Sequence, residues 1–224
     1  MRKRDEGETS ESAGEYLEWI YRLSKERDRV TAADLARSLG LSGASVTVML
    51  KRLAEQGYID YKPYKGITLT DAGREIGAKI IRRHGLLERL LCDVVGVPWH
   101  RVDEAVRHLE HFITDEVEER LAHHLGYPTT CPHGQPLDWE NASKSRRLST
   151  VKVGETSVIS RIGDESPDFL EYMMSLGMLP GAAIEVVSQA PFNGPVMVRV
   201  GSREHALGPS VLESVWVETG AAQS

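Results

Sequence analysis

The sequence places carboxylates and imidazoles at helical spacing in three separate stretches, and these residue types could together bind a divalent cation. Glu15 and Glu18 are three residues apart, and His84 and Glu88 are four apart, so each pair would share one face of a helix. The third stretch supplies Asp103, His108, Glu110 and His111. Carboxylates and imidazoles without thiolate suit Mn²⁺ or Fe²⁺ better than a structural Zn²⁺ site, which prefers cysteine. The alternative is that these are ordinary solvated side chains, because surface helices are rich in Glu.

The chain has two cysteines, too few for a disulfide scaffold. Cys92 follows two leucines, which predicts a buried core thiol. Cys131 and His133 have the spacing of a pair of metal ligands, but they fall in a proline-rich loop that has no second pair. The interpretation favoured by the sequence is therefore that Cys131 and His133 are structural.

The elements after the first ligand stretch have the order of a DNA-binding module. Thr31 begins a short helix with an acidic residue three places later, and Gly40 ends it. Ser42 then begins a second helix, and residues 58–61 and 67–70 predict two strands joined by a basic turn. Two short helices joined by a tight turn and followed by a hairpin are typical of a winged helix-turn-helix.

Small and hydroxyl side chains at the start of the second helix would let its backbone approach DNA closely, and a cation and a phenol at the hairpin tip could contact phosphates. The predicted DNA-binding residues are Thr31, Ser42, Ala44, Ser45, Thr47, Lys51, Lys62, Tyr64 and Lys65. The helix has no Arg/Gln pair for bidentate base recognition, so methyl contacts and DNA shape would carry specificity. Alternatively, a winged helix can serve as a dimerisation or protein-contact module.

The remainder of the chain predicts a helical region and then a small β domain. Residues 71–95 and 102–125 have the pattern of long helices, and 126–150 is a proline-rich linker expected to become mobile towards its end. From residue 151 short alternating strands separated by Gly and Pro turns predict an antiparallel barrel with one inserted helix, residues 167–176.

The fold class expected is mainly α with small β. The expected domains are a winged helix-turn-helix over 1–73, a helical metal-binding and dimerisation domain over 74–135, a linker over 136–150 and an SH3-like domain over 151–219.

The charge distribution supports two functions on one chain. The formal net charge is −6, which by itself argues weakly against nucleic acid, but residues 1–75 carry 13 basic and 13 acidic side chains. The whole acidic excess and all eight histidines lie after residue 75. The sequence contains no run of apolar residues long enough for a membrane span and no signal-peptide pattern, so a soluble, cytoplasmic protein with reduced thiols is expected.

Several of these segments resemble the diphtheria-toxin-repressor family of metal-dependent transcriptional regulators, the iron and manganese repressors. The segments are GEYLEWIYRL, ADLARSLGLSGASVTVMLKRLAEQGYIDY, KGITLTDAGREIGAKIIRRHGLLERLL, HLEHFITDEVEERL, LGYPTTCPHGQPL and SRIGDESPDFLEYMMSLGMLPGAAIEV. The resemblance covers nearly the whole chain after Ser12, and its last segment is similar to the ferrous-transport-A-like SH3 domain of the longer members. RRHGLLERLL and LEHFITDEVEERL are its specific parts.

The resemblance implies a homodimer that binds palindromic operator DNA when loaded with Mn²⁺ or Fe²⁺ at two metal sites per subunit. Its ligand on the N-terminal helix falls on Glu15, where a carboxylate is typical of manganese-type members and methionine of iron-type members, so Mn²⁺ is favoured. Glu18, the His84–Glu88 pair and the Glu110–His111 pair match further family ligands. In long members the C-terminal domain donates oxygen ligands, for which Asp164, Glu165 and Asp168 are the candidates.

The sequence departs from the family pattern at two positions. Arg107 stands where the family has Cys or Glu, and a guanidinium cannot bind a cation. Either this site loses a ligand, or His108 or a nearby carboxylate replaces it, or Arg107 turns away. Asp103 stands where the family has a histidine, and it can still act as a ligand.

The hypothesis that follows is a metal-controlled switch. In it, the cation neutralises crowded carboxylates, ties the predicted helices together and fixes the spacing of two winged helices on DNA. The rivals are a metal-independent winged-helix regulator or adaptor and a metalloenzyme. The sequence contains no HExxH, nucleophile elbow or phosphate loop, so no enzymatic activity is expected.

Overall fold

A computed structural model describes residues 10–62, 65–107, 109–192 and 194–219 of the 224-residue chain. The chain divides into two compact units. The first contains residues 1–84 and 108–119, and the second contains residues 85–107 and 120–224, as far as these are described.

The first unit begins with a winged helix-turn-helix. Its elements are α1 (Glu11–Glu26), α2 (Ala32–Leu39), α3 (Gly43–Glu55), β1 (Ile59–Lys62) and β2 (Gly66–Leu69). The two strands pair antiparallel, and Val30 forms an isolated bridge to Ile67. The predicted winged helix is therefore confirmed.

Local signals set the boundaries of these helices. The Thr31 side chain accepts a hydrogen bond from the Asp34 amide while the Asp34 carboxylate accepts one from the Thr31 amide, which completes a capping box. Gly40 ends α2 in the left-handed region at φ 65°, a conformation that glycine adopts without steric cost. The Ser42 side chain caps α3 by accepting from the Ser45 amide.

The core of the first unit is formed by the apolar faces of these elements. Tyr16, Leu17, Ile20 and Tyr21 of α1 are each at most 3% exposed. Leu50 and Leu53 of α3 are fully buried, so α3 keeps its opposite face for solvent. Burying side chains of this size stabilises the unit by about 1.5–3 kcal/mol each.

The helical region after the hairpin is less continuous than its periodicity predicts. α4 (Asp71–Arg89) is followed by a π-helical segment, Leu90–Val95, which ends at Gly96 with φ 84°. The single helix predicted over 102–125 is wrong. The structure has 3₁₀ turns at Trp99–Arg101 and Leu109–Phe112 and two helices, α5 (Val102–Val106) and α6 (Asp115–His124). Thr114 begins α6 by accepting from the Val117 amide, and this local cap starts a new helix where periodicity alone predicts continuation.

The second unit contains one antiparallel sheet. Its strands are β3 (Arg146–Arg147), β4 (Thr156–Ile162), β5 (Ala183–Gln189), β6 (Val196–Val200), β7 (Arg203–Leu207) and β8 (Val215–Thr219), in the order β3-β8-β4-β5-β6-β7. α7 (Pro167–Ser175) follows β4, and α8 (Pro209–Ser214) precedes β8. Fifteen buried residues, most of them from these elements, form one apolar core.

The sheet differs from prediction at both edges. β7 is absent from the sequence prediction because its Arg-Glu-His residues do not alternate with apolar ones. β3 lies where a mobile linker end is predicted, and it pairs with Val217 and Trp216 of β8. None of the described helices is both long enough and apolar enough to cross a membrane.

Candidate functional site

The second unit brings together four metal-ligating side chains from three distant segments. Glu88 comes from α4, Cys131 and His133 from the loop after α6, and Glu165 from the turn between β4 and α7. His133 Nδ1 lies 3.2 Å from Glu88 Oε1, 3.8 Å from Glu165 Oε1 and 4.0 Å from Cys131 Sγ. The ligand atoms of Glu88, Cys131 and His133 all lie within 4.8 Å of one another. We call these four residues the Cys–His cluster.

The orientation of the His133 ring is fixed from outside the cluster. Nε2 of His133 lies 2.9 Å from the Trp99 carbonyl oxygen, which can only accept a hydrogen bond. Nε2 therefore carries a hydrogen and donates it, so Nδ1 is the ring nitrogen that faces the other three side chains. This arrangement is typical of metal-binding histidines, whose second nitrogen is held by a carbonyl or a carboxylate.

Burial makes the Cys–His cluster electrostatically unusual. Glu88 is 1% exposed, Cys131 2% and His133 0%. Burial, and then the charges of Glu88 and Glu165, raise the pKa of the Cys131 thiol well above its ordinary value. Burial alone would lower the pKa of His133, but the hydrogen bond to Glu88 and the charge of Glu165 raise it to about 9. Two carboxylates thus hold protons on the neighbouring thiol and imidazole, which a divalent cation would displace on binding.

We call the loop that carries Cys131 and His133, residues 131–135, the ligand loop, and its neighbours in the sequence and in α4 allow it to pack closely. A Cβ on Gly85 would overlap the side chain of Leu137 and lie 3.1 Å from Cys131 Cβ, so glycine at this position of α4 allows the close packing. Arg89 of α4 donates to the carbonyls of Thr130 and Cys131 at 2.8 and 3.0 Å. Cys131 also packs with Leu86, Ala122 and Leu137 in a small apolar cluster.

The donor set of the Cys–His cluster fits a divalent transition metal. It offers a thiol sulfur, an imidazole nitrogen and the Glu88 carboxylate within 4.8 Å of one another, with the Glu165 carboxylate 3.8 Å from His133 Nδ1 as a further donor. The structural interpretation of Cys131 and His133 from sequence took no account of this cluster. The Cys-x-His spacing is visible in the sequence, but nothing in the sequence connects it with Glu88. Cys92, predicted as buried, is only partly buried.

The first unit holds a second group of candidate ligands, His84, Glu110 and His111. Glu110 is 4% exposed, its two oxygens lying 3.8 Å from His84 Nδ1 and 3.4 Å from His111 Nε2. Burial alone would raise the pKa of Glu110, but the neighbouring imidazoles of His84 and His111 lower it, which favours the ionised carboxylate. We call these three residues the Glu–His cluster.

The N-terminal helix lies against the Glu–His cluster through a glycine. A Cβ on Gly14 would lie 2.8 Å from His111 Cε1, so the absence of a side chain lets the imidazole approach α1. Glu15 follows Gly14 and is partly buried, while Glu18 is 8% exposed and accepts from Arg22 Nε at 3.0 Å. Among the described residues, the structure does not gather Glu15 or Glu18 with Glu110 and His111 inside 4.8 Å.

The structure places the other predicted ligands as follows. Asp103 accepts from Arg107 Nη2 at 3.1 Å, and the Arg107 side chain is 60% exposed, so this guanidinium points towards solvent. Asp164 accepts from the amide and hydroxyl of Ser166, while Asp168 is exposed in the first turn of α7. Of the three C-terminal candidates, Glu165 is the one that approaches His133. His108 lies outside the described residues.

The predicted DNA-binding residues of α3 form one exposed surface. Ser42, Ala44, Ser45 and Lys51 are exposed and Thr47 is partly exposed, whereas Val46 and Leu50 face the core. Val48 is 70% exposed, which is unusual for an apolar residue on a helix and suits contact with a base methyl group. Lys62 and Lys65 are exposed on either side of the hairpin tip, and Tyr64 lies outside the described residues.

A groove of about 670 Å³ lies between α2, α3 and the hairpin. Its lining combines basic side chains with the first residues of α2: Arg29, Thr31, Ala32, Ala33, Thr47, Lys51, Tyr61, Lys62, Gly66 and Ile67. Three cations beside a helix N-terminus form a surface that favours phosphate.

A winged helix, buried clusters of acid and imidazole ligands and a small β domain together define the class of metal-dependent transcriptional regulators. Three family models match the chain along nearly its whole length. They are the iron-dependent repressor N-terminal DNA-binding domain over residues 8–67, the iron-dependent repressor metal-binding and dimerisation domain over 70–137, and the FeoA domain over 146–219. The chain therefore belongs to the iron-dependent repressor family of DNA-binding regulators. This confirms the resemblance and the fold class predicted from sequence.

Relatives of both metal specificities are similar to this chain. It is 35% identical over 219 residues to the iron-dependent repressor IdeR of Mycobacterium tuberculosis, covering 91% of this chain and 95% of that protein. A solved structure of a manganese-dependent transcriptional repressor complex with manganese has a TM-score of 0.86 and 30% identity, covering 93% of this chain and all of that chain. The structure of T. acidophilum IdeR has a TM-score of 0.77 and 28% identity, with 98% and 100% coverage.

Proposed function

We propose that this chain is a homodimeric repressor that binds a palindromic operator when loaded with Mn²⁺ or Fe²⁺ and so controls genes of metal-ion homeostasis. The observation that carries the proposal is the Cys–His cluster, in which buried Glu88, Cys131 and His133 place their candidate ligand atoms within 4.8 Å of one another. Membership in a family of metal-dependent repressors supports the same function.

We assign two metal sites to each subunit. Glu88, Cys131, His133 and Glu165 would hold one ion. Glu110 and His111 would hold the other, with His84, Glu15 and Glu18 as its remaining candidate ligands. A bound divalent cation supplies positive charge that stabilises the Cys131 thiolate and the buried carboxylates. The further roles predicted for Asp103, His108, Asp164 and Asp168, and the domain boundaries, stay predictions.

The choice of metal follows from the two donor sets. The Glu–His cluster has only oxygen and nitrogen donors, which favours Mn²⁺ among the candidate ions. The Cys–His cluster contains a cysteine sulfur, so the sequence argument that the ligand set lacks a thiolate does not hold there, and Fe²⁺ suits this site better than the sequence predicts. We retain Mn²⁺ as the favoured activating metal on account of Glu15 and the Glu–His cluster.

DNA recognition is assigned to the exposed face of α3 and to the basic groove. Arg29, Lys51 and Lys62 line the groove and would contact backbone phosphates, while Ser42 to Val48 would face base edges. The coupling free energy between metal binding and DNA binding that this function requires is modest, typically about 1–3 kcal/mol per site.

A DNA-binding titration tests this proposal. Duplexes would be selected from a random library with the Mn²⁺-loaded protein, and their binding followed by fluorescence anisotropy with Mn²⁺, with Fe²⁺ under anaerobic conditions, or with EDTA. Binding should appear at micromolar metal and be lost with EDTA. Binding unaffected by EDTA would instead establish the metal-independent regulator.

Two variants refine the assignment. The Glu110→Gln variant keeps the shape of the side chain but loses its charge, and should require at least about tenfold more Mn²⁺ for DNA binding. The Glu15→Met variant should shift the response from Mn²⁺ towards Fe²⁺ or abolish it, because a thioether is a softer ligand than a carboxylate. An unchanged metal profile of Glu15→Met would show that Glu15 is not a ligand.

A further inference from the structure

Arg161 of β4 is a buried cation that has no place in the ligand set. It is 4% exposed, and its guanidinium carbon lies 3.8 Å from the ring centroid of Trp216 and 4.9 Å from that of Trp139. Arg161 Nη1 also donates to Gln135 Oε1 at 3.2 Å. Burying a guanidinium is costly unless its charge and its hydrogen bonds are met, so this arrangement fixes the planar group closely.

Gln135, the partner of Arg161, is the closing residue of the ligand loop. Its side-chain Nε2 donates to the Ile162 backbone carbonyl at 2.8 Å, and its backbone carbonyl accepts from the Cys131 backbone amide at 2.9 Å. The Ile162 amide in turn donates to the His133 carbonyl at 3.0 Å. The backbone of both loop ligands is thus bonded either to Gln135 or to the strand residue next to Arg161.

The same stretch of chain supplies the fourth donor. Glu165 follows Arg161 by four residues, after the end of β4. Glu165 lies only three residues beyond the last residue of β4, so a loop that is held to β4 is also held near Glu165. If Arg161 released Gln135, Cys131 and His133 could move while Glu165 stayed in place.

We infer that Arg161 is a positioning residue for the Cys–His cluster, acting through Gln135 to hold Cys131 and His133 opposite Glu165. This inference rests on the proposed function, because it takes the cluster as a metal site. It assigns the β domain two contributions to metal binding, a ligand and the fastening of the ligand loop. It also accounts for Trp139, which covers one face of Arg161 from the segment that follows the loop.

The chain contains a matched control for this role. Arg147 of β3 also lies over Trp216, with its guanidinium carbon 4.9 Å from the ring centroid, but its hydrogen bonds go to the carbonyl and carboxylate of Glu213. Replacing Arg147 removes an arginine from the same tryptophan without affecting any bond of the ligand loop. A loss of metal affinity confined to the Arg161 variant therefore reports on positioning and not on packing around Trp216.

The test is a Cd²⁺ titration of the full chain followed by the thiolate-to-metal charge-transfer absorption. The band should be present in the wild type and absent from Cys131→Ser. Arg161→Gln should bind Cd²⁺ about 10–100-fold more weakly, as is typical when a group that orients a metal ligand is lost, whereas Arg147→Gln should match the wild type. Equal affinities of Arg161→Gln and Arg147→Gln would overturn the inference while leaving the metal site intact.

A second variant covers the case in which Arg161→Gln does not fold. Gln135→Ala breaks the same bond from the loop side and should weaken Cd²⁺ binding to a similar extent. If both variants fold, the double variant should lose no more than the larger single loss, because the two residues act as one unit. Additive losses, or a Gln135→Ala protein that binds Cd²⁺ as the wild type does, would refute the role of Arg161. A wild-type chain without a Cys131-dependent band would refute the metal site and this inference together.

Discussion

Replacing Gly134 by alanine tests whether the ligand loop is fastened to the sheet. Gly134 lies between His133 and Gln135 with φ 85°, and a Cβ there would overlap the Ser160 carbonyl oxygen and lie 2.8 Å from Arg161 Cα. These neighbours are backbone atoms of β4, which cannot move without disturbing the sheet. The substitution should therefore displace the loop and break the bond from the Ile162 amide to the His133 carbonyl.

The expected loss of unfolding free energy in Gly134→Ala has two parts. An L-residue held in the left-handed region costs about 1–2 kcal/mol, partly offset by the lower entropy of the unfolded alanine chain. A displaced loop adds about 1–3 kcal/mol for buried backbone groups that lose their partners. Gly134→Ala should thus lower the free energy of unfolding by about 2–4 kcal/mol, which for a chain of this size is a Tm decrease of roughly 5–15 °C.

Gly154 provides the matched control. Its φ is 83°, nearly that of Gly134, but nothing lies within 4 Å of a Cβ placed there. Gly154→Ala should consequently show only the conformational part, about 1 kcal/mol. The two glycines lie in the same unit, so the difference between the variants isolates the contact with Ser160.

Urea unfolding followed by tryptophan fluorescence measures this difference. Three of the four tryptophans, Trp99, Trp139 and Trp216, belong to the second unit, so the signal reports mainly on that unit. A Cd²⁺ titration of the same variants should show weakened binding for Gly134→Ala alone. If Gly134→Ala and Gly154→Ala were destabilised equally, the ligand loop would not be pressed against β4 as described.

Three further predictions concern the first unit. Gly14→Ala should displace His111 and so weaken Mn²⁺ binding, which is measured by the loss of the free-ion EPR signal. The free energy of unfolding should fall by only about 1 kcal/mol, because the nearest neighbours of the new Cβ are movable side-chain atoms of His111 and Ile80. Unchanged Mn²⁺ affinity would contradict this role of Gly14. Thr31→Ala should lower the free energy of unfolding by about 1 kcal/mol at neutral pH, since it removes the capping box of α2. The Thr31 hydroxyl donates a hydrogen bond that lowers the pKa of Asp34 in the folded state. The stability that this bond contributes is therefore fully present when the pH is above the ordinary pKa of the carboxyl group, and it is lost as the pH falls through the lowered folded-state pKa. The difference between wild type and Thr31→Ala in urea unfolding should accordingly shrink in acid, and a gap that widened would refute the assignment.

The winged helix was predictable because its signals are local. Thr31, Gly40 and Ser42 mark helix ends within a few residues of where the structure has them, and the apolar spacing of α1 defines its buried face. Periodicity alone fails where a capping residue interrupts a continuous helical pattern. Thr114 is such a residue, because its cap divides one predicted helix into two.

The Cys–His cluster was not predictable from one sequence because its members are far apart in the chain. Glu88 was predicted as a ligand for its spacing from His84, and Glu165 only through the family resemblance. Cys131 and His133 have the spacing of a ligand pair, but the residues that lie beside them, Glu88 and Glu165, come from distant segments and not from a neighbouring motif. Spacing in the sequence can identify candidate ligands that share one helix or one loop. Residues that the tertiary fold brings together from distant segments produce no such pattern.

The position of β8 in the sheet has a consequence for synthesis of the protein on the ribosome. β8 lies between β3 and β4, although it is the last strand of the described chain, and it carries Trp216, which stacks on Arg161. A nascent chain that already exposes Glu88, Cys131, His133 and Glu165 therefore still lacks the strand that completes the sheet around them. β8 is the last of the described strands to be synthesised, so β3 and β4 have no strand between them until it emerges, and metal capture by the Cys–His cluster is expected to follow the emergence of β8.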